Sequence, residues 1–319
     1  MVLCLKTWKS RTLPGNNPMK KIIIVTGGAG FVGSNLIELL LKKTNLQIIS
    51  LDNYSTGSRK NHFKSRRVKY INGNTLNINK ILSKYKRKII TVFHFGEFSR
   101  IYQSFQKFYQ CFDSNSIGSK EVFKFCLDNN IKLIYSATSA TLGNQGNDKN
   151  LSPYAFTKSK NLELLENLRK WFNLKFEIIF FYNVYGSKQI KTGSMATVIG
   201  IFEHQYKQNK PLTVVKPGHQ TRRFTHISDT IKVCYEAWRK NKCAYYSISH
   251  KKTYSVLDVA KMFNHKIKLV PSRKGERYAS ALTNMSLSNK VYKKFGKISI
   301  KKYIESFTRK KTNKFLKKR

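Results

Sequence analysis

The chain has 319 residues, 40% of them hydrophobic, so it is long enough to bury a sizeable core as one large domain or two ordinary ones. It carries 61 lysines and arginines against 16 acidic residues, a formal net charge of +45. The basic residues are spread along the whole chain without a nucleic-acid-binding motif, so we expect a solvated basic surface that attracts small anions rather than a nucleic-acid partner.

Residues 1–18 contain neither a sustained apolar segment nor a small-residue cleavage site, so a secretory signal is not expected. We expect this extension to be disordered, and Met19 is a candidate start. No apolar run approaches the roughly 18 residues of a membrane span. The five cysteines are scattered without a CxxC pair, and the histidines lack metal-ligand spacing. These features predict a cytoplasmic protein without a membrane span, disulfide framework or metal.

Apolar, strand-like runs alternate with amphipathic helical stretches over the first half of the chain. The runs are KIIIVTG, QIISLD, VKYIN, IITVFHF and KLIYSA, and the first helix is expected over residues 31–43. This alternation predicts an α/β fold with a doubly wound parallel sheet over residues 19–182. Beyond FEIIFFYNVYG the elements shorten, with helices expected near residues 196–208 and 228–239. We therefore predict a smaller second region over residues 183–306, a return to the first domain at about residues 225–250, and a basic tail over residues 307–319.

A glycine-rich segment, VTGGAGFVGSNL, follows the first predicted strand and opens the first predicted helix. It spaces Gly27, Gly30 and Gly33 as G-x-x-G-x-x-G. Glycine lets the backbone turn tightly and approach a pyrophosphate, and a helix N-terminus offers N–H groups to the anion. Asp52 ends the second predicted strand about 20 residues further on, where a ribose-binding carboxylate is required. The pattern predicts a dinucleotide site, and Asp52 favours NAD over NADP.

The stretch SPYAFTKSK places Tyr154 and Lys158 four residues apart, on a helix expected to begin near Pro153. That spacing brings the two side chains to one helix face. A free tyrosine titrates at about pH 10, and a nearby ammonium favours the phenolate, so Tyr154 can act as a general base. The alternative is a buried tyrosine beside a solvated lysine. The upstream strand YSATSATLG, which ends in small hydroxyl residues, favours the catalytic interpretation.

Together, the glycine spacing and the Tyr-x-x-x-Lys pair resemble the extended short-chain dehydrogenase/reductase superfamily, and more narrowly its NAD-dependent epimerase/dehydratase branch, which acts on nucleotide sugars. The resemblance runs from about Lys20 to Ser306. It implies a Rossmann-type domain that binds NAD, a smaller C-terminal substrate-binding region and a homodimer. It also implies that Thr138 hydrogen-bonds the reacting sugar oxygen, with Tyr154 as the base and Lys158 beside it.

The resemblance implies further site residues. Those expected at the cofactor are Gly27, Gly30, Phe31, Val32, Gly33, Asp52, Asn53, Phe95, Gly96, Asn115, Tyr154 and Lys158, and those expected at the substrate are Asn183, Arg222 and Arg273. The two arginines would clamp phosphate, whose geometry suits a guanidinium fork. Ser136 would be structural or contact the cofactor, and Ser139 would contact substrate.

The chain departs from the family pattern at several positions. Glu97 stands where the family favours a small residue, and it would touch substrate, be solvated or form an ion pair with Arg100. Asn74 and Arg223 each replace an acid, and the segment over residues 143–153 is short and lacks an acidic loop. The wall that faces the sugar is therefore the least defined part of the predicted site.

The residues after Thr138 bear on the reaction type. A 4,6-dehydratase needs a separate general acid and base, which its relatives supply as an Asp-Glu pair after the threonine, whereas this chain has Ser139 and Ala140. We therefore predict an NAD-dependent nucleotide-sugar epimerase that inverts C4 of a UDP-sugar. The alternatives are a dehydratase or reductase of the same superfamily, or a non-catalytic protein that binds a dinucleotide and a polyanion.

Overall fold

The computed structural model describes residues 21–275 and 291–316. Its main element is an eight-stranded, all-parallel sheet. The strands are β1 (Ile22–Thr26), β2 (Gln47–Asp52), β3 (Val68–Asn72), β4 (Ile89–His94), β5 (Lys132–Thr138), β6 (Phe176–Phe181), β7 (Tyr245–Ser249) and β8 (Val291–Phe295). Their order across the sheet is β8-β7-β6-β5-β4-β1-β2-β3. The order reverses between β1 and β4, which creates the crevice where ligands bind in such folds.

The helices lie between and after these strands. They are α1 (Phe31–Lys43), α2 (Ile78–Leu82), α3 (Ile101–Gln106), α4 (Phe108–Phe112), α5 (Ser119–Asp128), α6 (Pro153–Phe172), α7 (Val198–Lys207), α8 (Ile227–Lys240), α9 (Val256–Lys261) and α10 (Ile300–Leu316). A π-helical segment spans Asp113–Gly118, and 3-10 turns span Arg59–Asn61, Thr75–Asn77, Ser83–Tyr85 and Ser139–Asn150. None of the helices in the described ranges has the length and apolarity needed to cross a membrane.

Both faces of the sheet are covered, which explains why its central strands read as continuous apolar runs. Helices α1 and α8 pack on one face through residues such as Leu36 and Ile231. Helices α2, α5 and α6 pack on the other face through residues such as Phe123 and Leu165. The strand ends are thereby fixed, and the loops at their carboxyl edge are held by a rigid core.

Helix α6 begins where the sequence indicates. Ser152 caps it by accepting a hydrogen bond from the N–H of Ala155 at 3.1 Å, and Pro153 occupies the first turn. Asn173, in the left-handed conformation with φ +57°, ends the helix. The cap sets the direction of the first turn, which carries Tyr154.

A smaller set of elements surrounds a third hydrophobic cluster that includes Tyr185, Phe202 and Phe263. Its short strands pair as Val184–Tyr185 with Thr225–His226, Leu212–Val215 with Ile267–Val270, and Thr221–Arg223 with Thr253–Ser255. Helices α7, α9 and α10 pack around the cluster.

The predicted α/β class with a doubly wound parallel sheet is confirmed. The division into residues 19–182 and 183–306 stays a prediction, and β7 and β8 return to the sheet from the second of these ranges. The expected disorder of residues 1–18, and Met19, lie outside the described residues, as do the last three residues of the predicted tail.

Candidate active site

A cleft of about 690 Å³ opens at the carboxyl ends of β1, β2, β4, β5 and β6. It brings together most of the residues that the sequence indicates. Those that line it are Gly27, Gly30, Phe31, Val32, Gly33, Asp52, Asn53, Phe95, Gly96, Thr138, Tyr154, Lys158 and Asn183, together with Ser136 and Ser139. Residues from six separate segments therefore share one site at the crevice that the strand order creates.

The glycine loop is packed too closely for side chains. Gly27 has φ +66°, and a Cβ there would lie 2.8 Å from the backbone of Phe95 and of Gly96. A Cβ on Gly33 would lie 2.2 Å from the carbonyl oxygen of Gly27. No side chain caps the start of α1, so its first N–H groups face the cleft mouth as donors for an anion. This cradle fits the pyrophosphate of a dinucleotide.

Asp52 lies at the end of β2 beside this loop. Its carboxylate accepts hydrogen bonds from the N–H of Ala29 at 2.9 Å and of Tyr54 at 2.8 Å, which fix its orientation. Burial raises the pKa of Asp52, and these N–H groups oppose that effect. A carboxylate at this place fits the hydroxyls of an adenosine ribose and would repel a 2′-phosphate.

We expect the protein to bind NAD more tightly than NADP, because the buried Asp52 carboxylate repels a 2′-phosphate. Arg59 and Lys60 follow nearby and would weaken this preference. Equilibrium titration of the apoprotein with both dinucleotides measures it. The matched variant Asp52→Asn removes the charge while keeping the side-chain shape. Its preference for NAD over NADP should be smaller than that of the wild type. Tighter NADP binding by the wild-type protein would contradict the assignment.

The three predicted catalytic residues come from the end of β5 and the start of α6. Thr138 ends β5, and its Oγ1 accepts a hydrogen bond from the N–H of Ala140 at 3.1 Å. Tyr154 lies in the first turn of α6, where its N–H donates to Ser104 Oγ at 3.2 Å. Tyr154 is 9% exposed and belongs to a small hydrophobic cluster against which Ile101, at the start of α3, packs. Both hydroxyl-bearing residues therefore face the cleft from rigid elements.

Lys158 is buried one turn further along α6, and its partner is Glu97. The Nζ atom donates to Glu97 Oε2 at 2.5 Å and to the carbonyl oxygen of Ser136 at 2.5 Å. The expectation that Glu97 pairs with Arg100 is wrong. The Arg100 guanidinium instead donates to the carbonyl oxygen of Met195. Glu97 follows β4 and faces α6, whereas Arg100 has already turned toward the loop that precedes α7.

A buried hydrogen-bond chain links the glycine-loop strand to this ion pair. Thr26 Oγ1 accepts from the N–H groups of Phe95 and Gly96, so its own hydrogen is directed to His94 Nδ1 at 2.7 Å. Burial lowers the pKa of His94 to about 4, so the ring is neutral and its Nε2–H donates to Ser119 Oγ at 3.0 Å. Ser119 in turn donates to Glu97 Oε1 at 2.9 Å. Both ring nitrogens of His94 are thus hydrogen-bonded within this buried network, which gives the residue a structural role.

Three predicted residues are not part of the cleft lining. Asn115 is buried, and its side chain donates to and accepts from the backbone of Phe98, which holds the segment after β4 in place. Arg222 is 9% exposed and donates to the carbonyl oxygen of Thr221. Arg273 is exposed and lies over the ring of Tyr102. The ligand roles of these three residues stay predictions.

Sequence reasoning missed the residues that surround the ion pair. Tyr135 lies under Lys158, with Nζ 4.4 Å from the ring centroid, and its hydroxyl donates to Glu97 Oε1 at 3.0 Å. Asn161 donates to the same oxygen at 3.3 Å. One signal was present, because Asn161 follows Lys158 by three residues and extends the polar face of α6. No group of three metal-binding side chains occurs in the described ranges.

Comparison with known proteins relates this site to one family. The model of the NAD-dependent epimerase/dehydratase family matches residues 23–249. An uncharacterized UDP-glucose epimerase of Bacillus subtilis is 28% identical over 227 residues, which cover 66% of this chain and 70% of that protein. A dTDP-D-glucose 4,6-dehydratase of Dictyostelium discoideum is 29% identical over 266 residues, or 75% of this chain and 60% of that protein.

Solved structures agree on the fold. The UDP-glucose 4-epimerase of Thermotoga maritima, solved with UDP-glucose, superimposes with a TM-score of 0.78 at 21% identity, covering 91% of this chain and 99% of that one. Relatives in sequence and in structure thus include both epimerases and dehydratases.

Proposed function

Because the chain belongs to the NAD-dependent epimerase/dehydratase family, with NAD as its cofactor, we propose that it is a nucleotide-sugar epimerase that inverts C4 of a UDP-sugar. One observation carries the proposal. Thr138, Tyr154 and Lys158 lie together at the edge of a cleft whose glycine loop and Asp52 suit a dinucleotide, and no carboxylate follows Thr138.

Each residue of the trio has a defined task in this reaction. Tyr154 takes the proton of the sugar hydroxyl as that carbon is oxidised, and it returns the proton when the carbon is reduced. The positive charge of Lys158 stabilises the tyrosine phenolate. The Thr138 hydroxyl donates a hydrogen bond to the reacting sugar oxygen. When bound, NAD supplies the reversible hydride transfer that the oxidation and reduction require.

The positions of Tyr154, which is buried, and of Thr138, which is partly buried, support this assignment. Both sit on elements anchored in the main core, so their hydroxyls are held in a fixed geometry without a loop movement. Inversion also requires that the oxidised sugar turn over and present its opposite face to the cofactor. The cleft of about 690 Å³ extends from the glycine loop past Tyr154 to the segment before α7, so it offers surface beyond the dinucleotide cradle.

A dehydratase is the second candidate, favoured by the similarity to the Dictyostelium enzyme and by the Glu97 carboxylate in the cleft lining. Its side chain is 3% exposed, and both of its oxygens accept hydrogen bonds from neighbouring side chains. A general acid and base must reach the substrate. Because the Glu97 oxygens are already occupied by these hydrogen bonds, the structure favours epimerisation over dehydration. The trio likewise favours catalysis over a purely binding role.

A homodimer and a cytoplasmic location complete the proposal. Large apolar side chains are exposed on the face formed by α4 and the π-helical segment, namely Phe108, Tyr109 and Ile117. Exposed aromatic and aliphatic groups in one area are typical of protein interfaces. Light scattering of the purified protein measures the subunit number.

Incubation with UDP-glucose, UDP-N-acetylglucosamine and their C4 epimers tests the reaction type. We expect one pair to interconvert to a mixture of unchanged mass, because epimerisation moves a hydride without losing atoms. Mass spectrometry and chromatographic retention of the products provide the measurement. A product lighter by one water would show dehydration and would make Glu97 the acid/base candidate. Tyr154→Phe serves as the inactive control.

A further inference from the structure

We propose that Glu97 is a positioning residue for Lys158, whose carboxylate holds the lysine as an ammonium on the floor of the cleft, one helical turn from Tyr154. The inference rests on the proposed function, because it gives Glu97 a task in the same site. It also gives a reason for a buried carboxylate at position 97.

The contacts of Glu97 are those of a fixed anion. Oε2 accepts from Lys158 Nζ at 2.5 Å. Oε1 accepts from Ser119 at 2.9 Å, Tyr135 at 3.0 Å and Asn161 at 3.3 Å. These donors come from β5, α5 and α6, so the carboxylate is oriented by three separate elements. All four neighbours act as donors, which matches an ionised carboxylate, since that group only accepts.

Lys158 needs such a partner because its own side chain is only 5% exposed. Burial lowers the pKa of Lys158, and Glu97 opposes this shift. The carbonyl oxygen of Ser136 and the Glu97 carboxylate take two of the three ammonium N–H groups. The third is left for the cleft, where a cofactor ribose or the Tyr154 phenolate would receive it. When a buried ammonium loses its counterion, its pKa falls and the neutral amine is favoured.

The other titratable groups around Lys158 do not replace this charge. His94 is neutral, since burial lowers its pKa to about 4. Burial raises the pKa of the Cys111 thiol to about 11, and it raises the pKa of Tyr135 well above its ordinary value. Tyr154 lies one helical turn from Lys158. Among the groups named here, Glu97 is the one whose negative charge most favours the ammonium form of Lys158.

A second buried ion pair, at the amino ends of β5 and β6, offers a matched control. Lys132 Nζ lies 2.8 Å from Glu177 Oε1, with side chains 12% and 0% exposed. Glu177 also accepts from the N–H groups of Cys243 and Ala244. Lys132 begins β5, and Glu177 is the second residue of β6, so this pair is far from the carboxyl ends that form the cleft.

The test is the pH dependence of NAD affinity, measured by calorimetric titration from about pH 6 to about pH 10, a range that brackets a perturbed lysine. The wild-type chain is compared with Glu97→Gln, Lys158→Met and Glu177→Gln. A pH-dependent change in NAD affinity that the wild type shows and Lys158→Met lacks is assigned to the titration of Lys158. In Glu97→Gln we expect this change to move to lower pH by about 1 to 3 units, because a negative charge has been removed.

Glu177→Gln should keep the wild-type profile even if its melting temperature falls. Glu97→Asp, which retains the charge, should restore the profile, and it serves also if Glu97→Gln does not fold. A Glu97→Gln profile that coincides with that of the wild type, or a Glu97→Asp profile displaced to low pH, overturns the proposal. The NAD titration uses no sugar. If no sugar reacted in the product assay, the proposed function would be refuted, while the role of Glu97 toward Lys158 would still be decided by the titration.

Discussion

Replacement of Tyr154 by phenylalanine is expected to lower kcat by about 10²- to 10⁴-fold, the usual contribution of a general base. The ring, which belongs to a small hydrophobic cluster with Ala140 and Ala155, stays in place, and only the titrating oxygen is lost. NAD affinity should therefore remain nearly unchanged. Steady-state turnover with the active sugar and an equilibrium titration with NAD measure the two effects separately.

Two further variants control this result. Tyr109→Phe removes a hydroxyl from a side chain that is 81% exposed and outside the cleft lining, and it should turn over like the wild type. Lys158→Met should reduce both turnover and NAD affinity, because the lysine is expected to serve the base and the nicotinamide ribose. If Tyr154→Phe retained near wild-type turnover, the assignment of the base would be wrong.

Substitution of Gly33 by alanine is expected to weaken NAD binding by about 10- to 100-fold, since overpacking costs about 1–3 kcal/mol. The added Cβ would lie 2.2 Å from the carbonyl oxygen of Gly27 and 2.7 Å from Cα of Gly28. Both are backbone atoms, so the clash is relieved only if the loop that cradles the pyrophosphate moves. Fluorescence or calorimetric titration with NAD gives the affinity.

Gly193→Ala separates this effect from backbone strain. Gly193 has φ +78°, but a Cβ there meets no atom within 4 Å. Alanine at this position should cost about 1–2 kcal/mol of folding free energy through its left-handed conformation, while NAD affinity is retained. Equal losses of NAD affinity in the two variants would contradict a specific role for the glycine loop.

The fold was predictable where local pattern and burial agree. The apolar run of β1, the glycine turn and the amphipathic α1 gave the helix bounds Phe31–Lys43 directly. The predicted cofactor, NAD, is confirmed by the family of the chain. Strand β8, VYKKF, was not predicted, because it lies at the edge of the sheet and is half exposed, so it lacks a continuous apolar run.

The site was predictable as a set of motifs and not as a set of contacts. Asp52, Thr138 and Tyr154 are marked by their places at strand ends and at a helix start. The partner of Lys158 is not marked, because Glu97 lies 61 residues away, in the segment that follows β4. Only the packing of α6 against the end of β4 decides whether that glutamate faces solvent, Arg100 or Lys158.

The most direct test of the central claim follows one hydrogen atom. The active UDP-sugar is prepared with deuterium at C4 and incubated with the protein and NAD, and the product is analysed by NMR and mass spectrometry. The proposed function predicts a C4 epimer of unchanged mass that retains the deuterium at C4, because the hydride removed from that carbon is returned to it. A product that has lost water, or an epimer whose C4 label has exchanged with solvent, would contradict it.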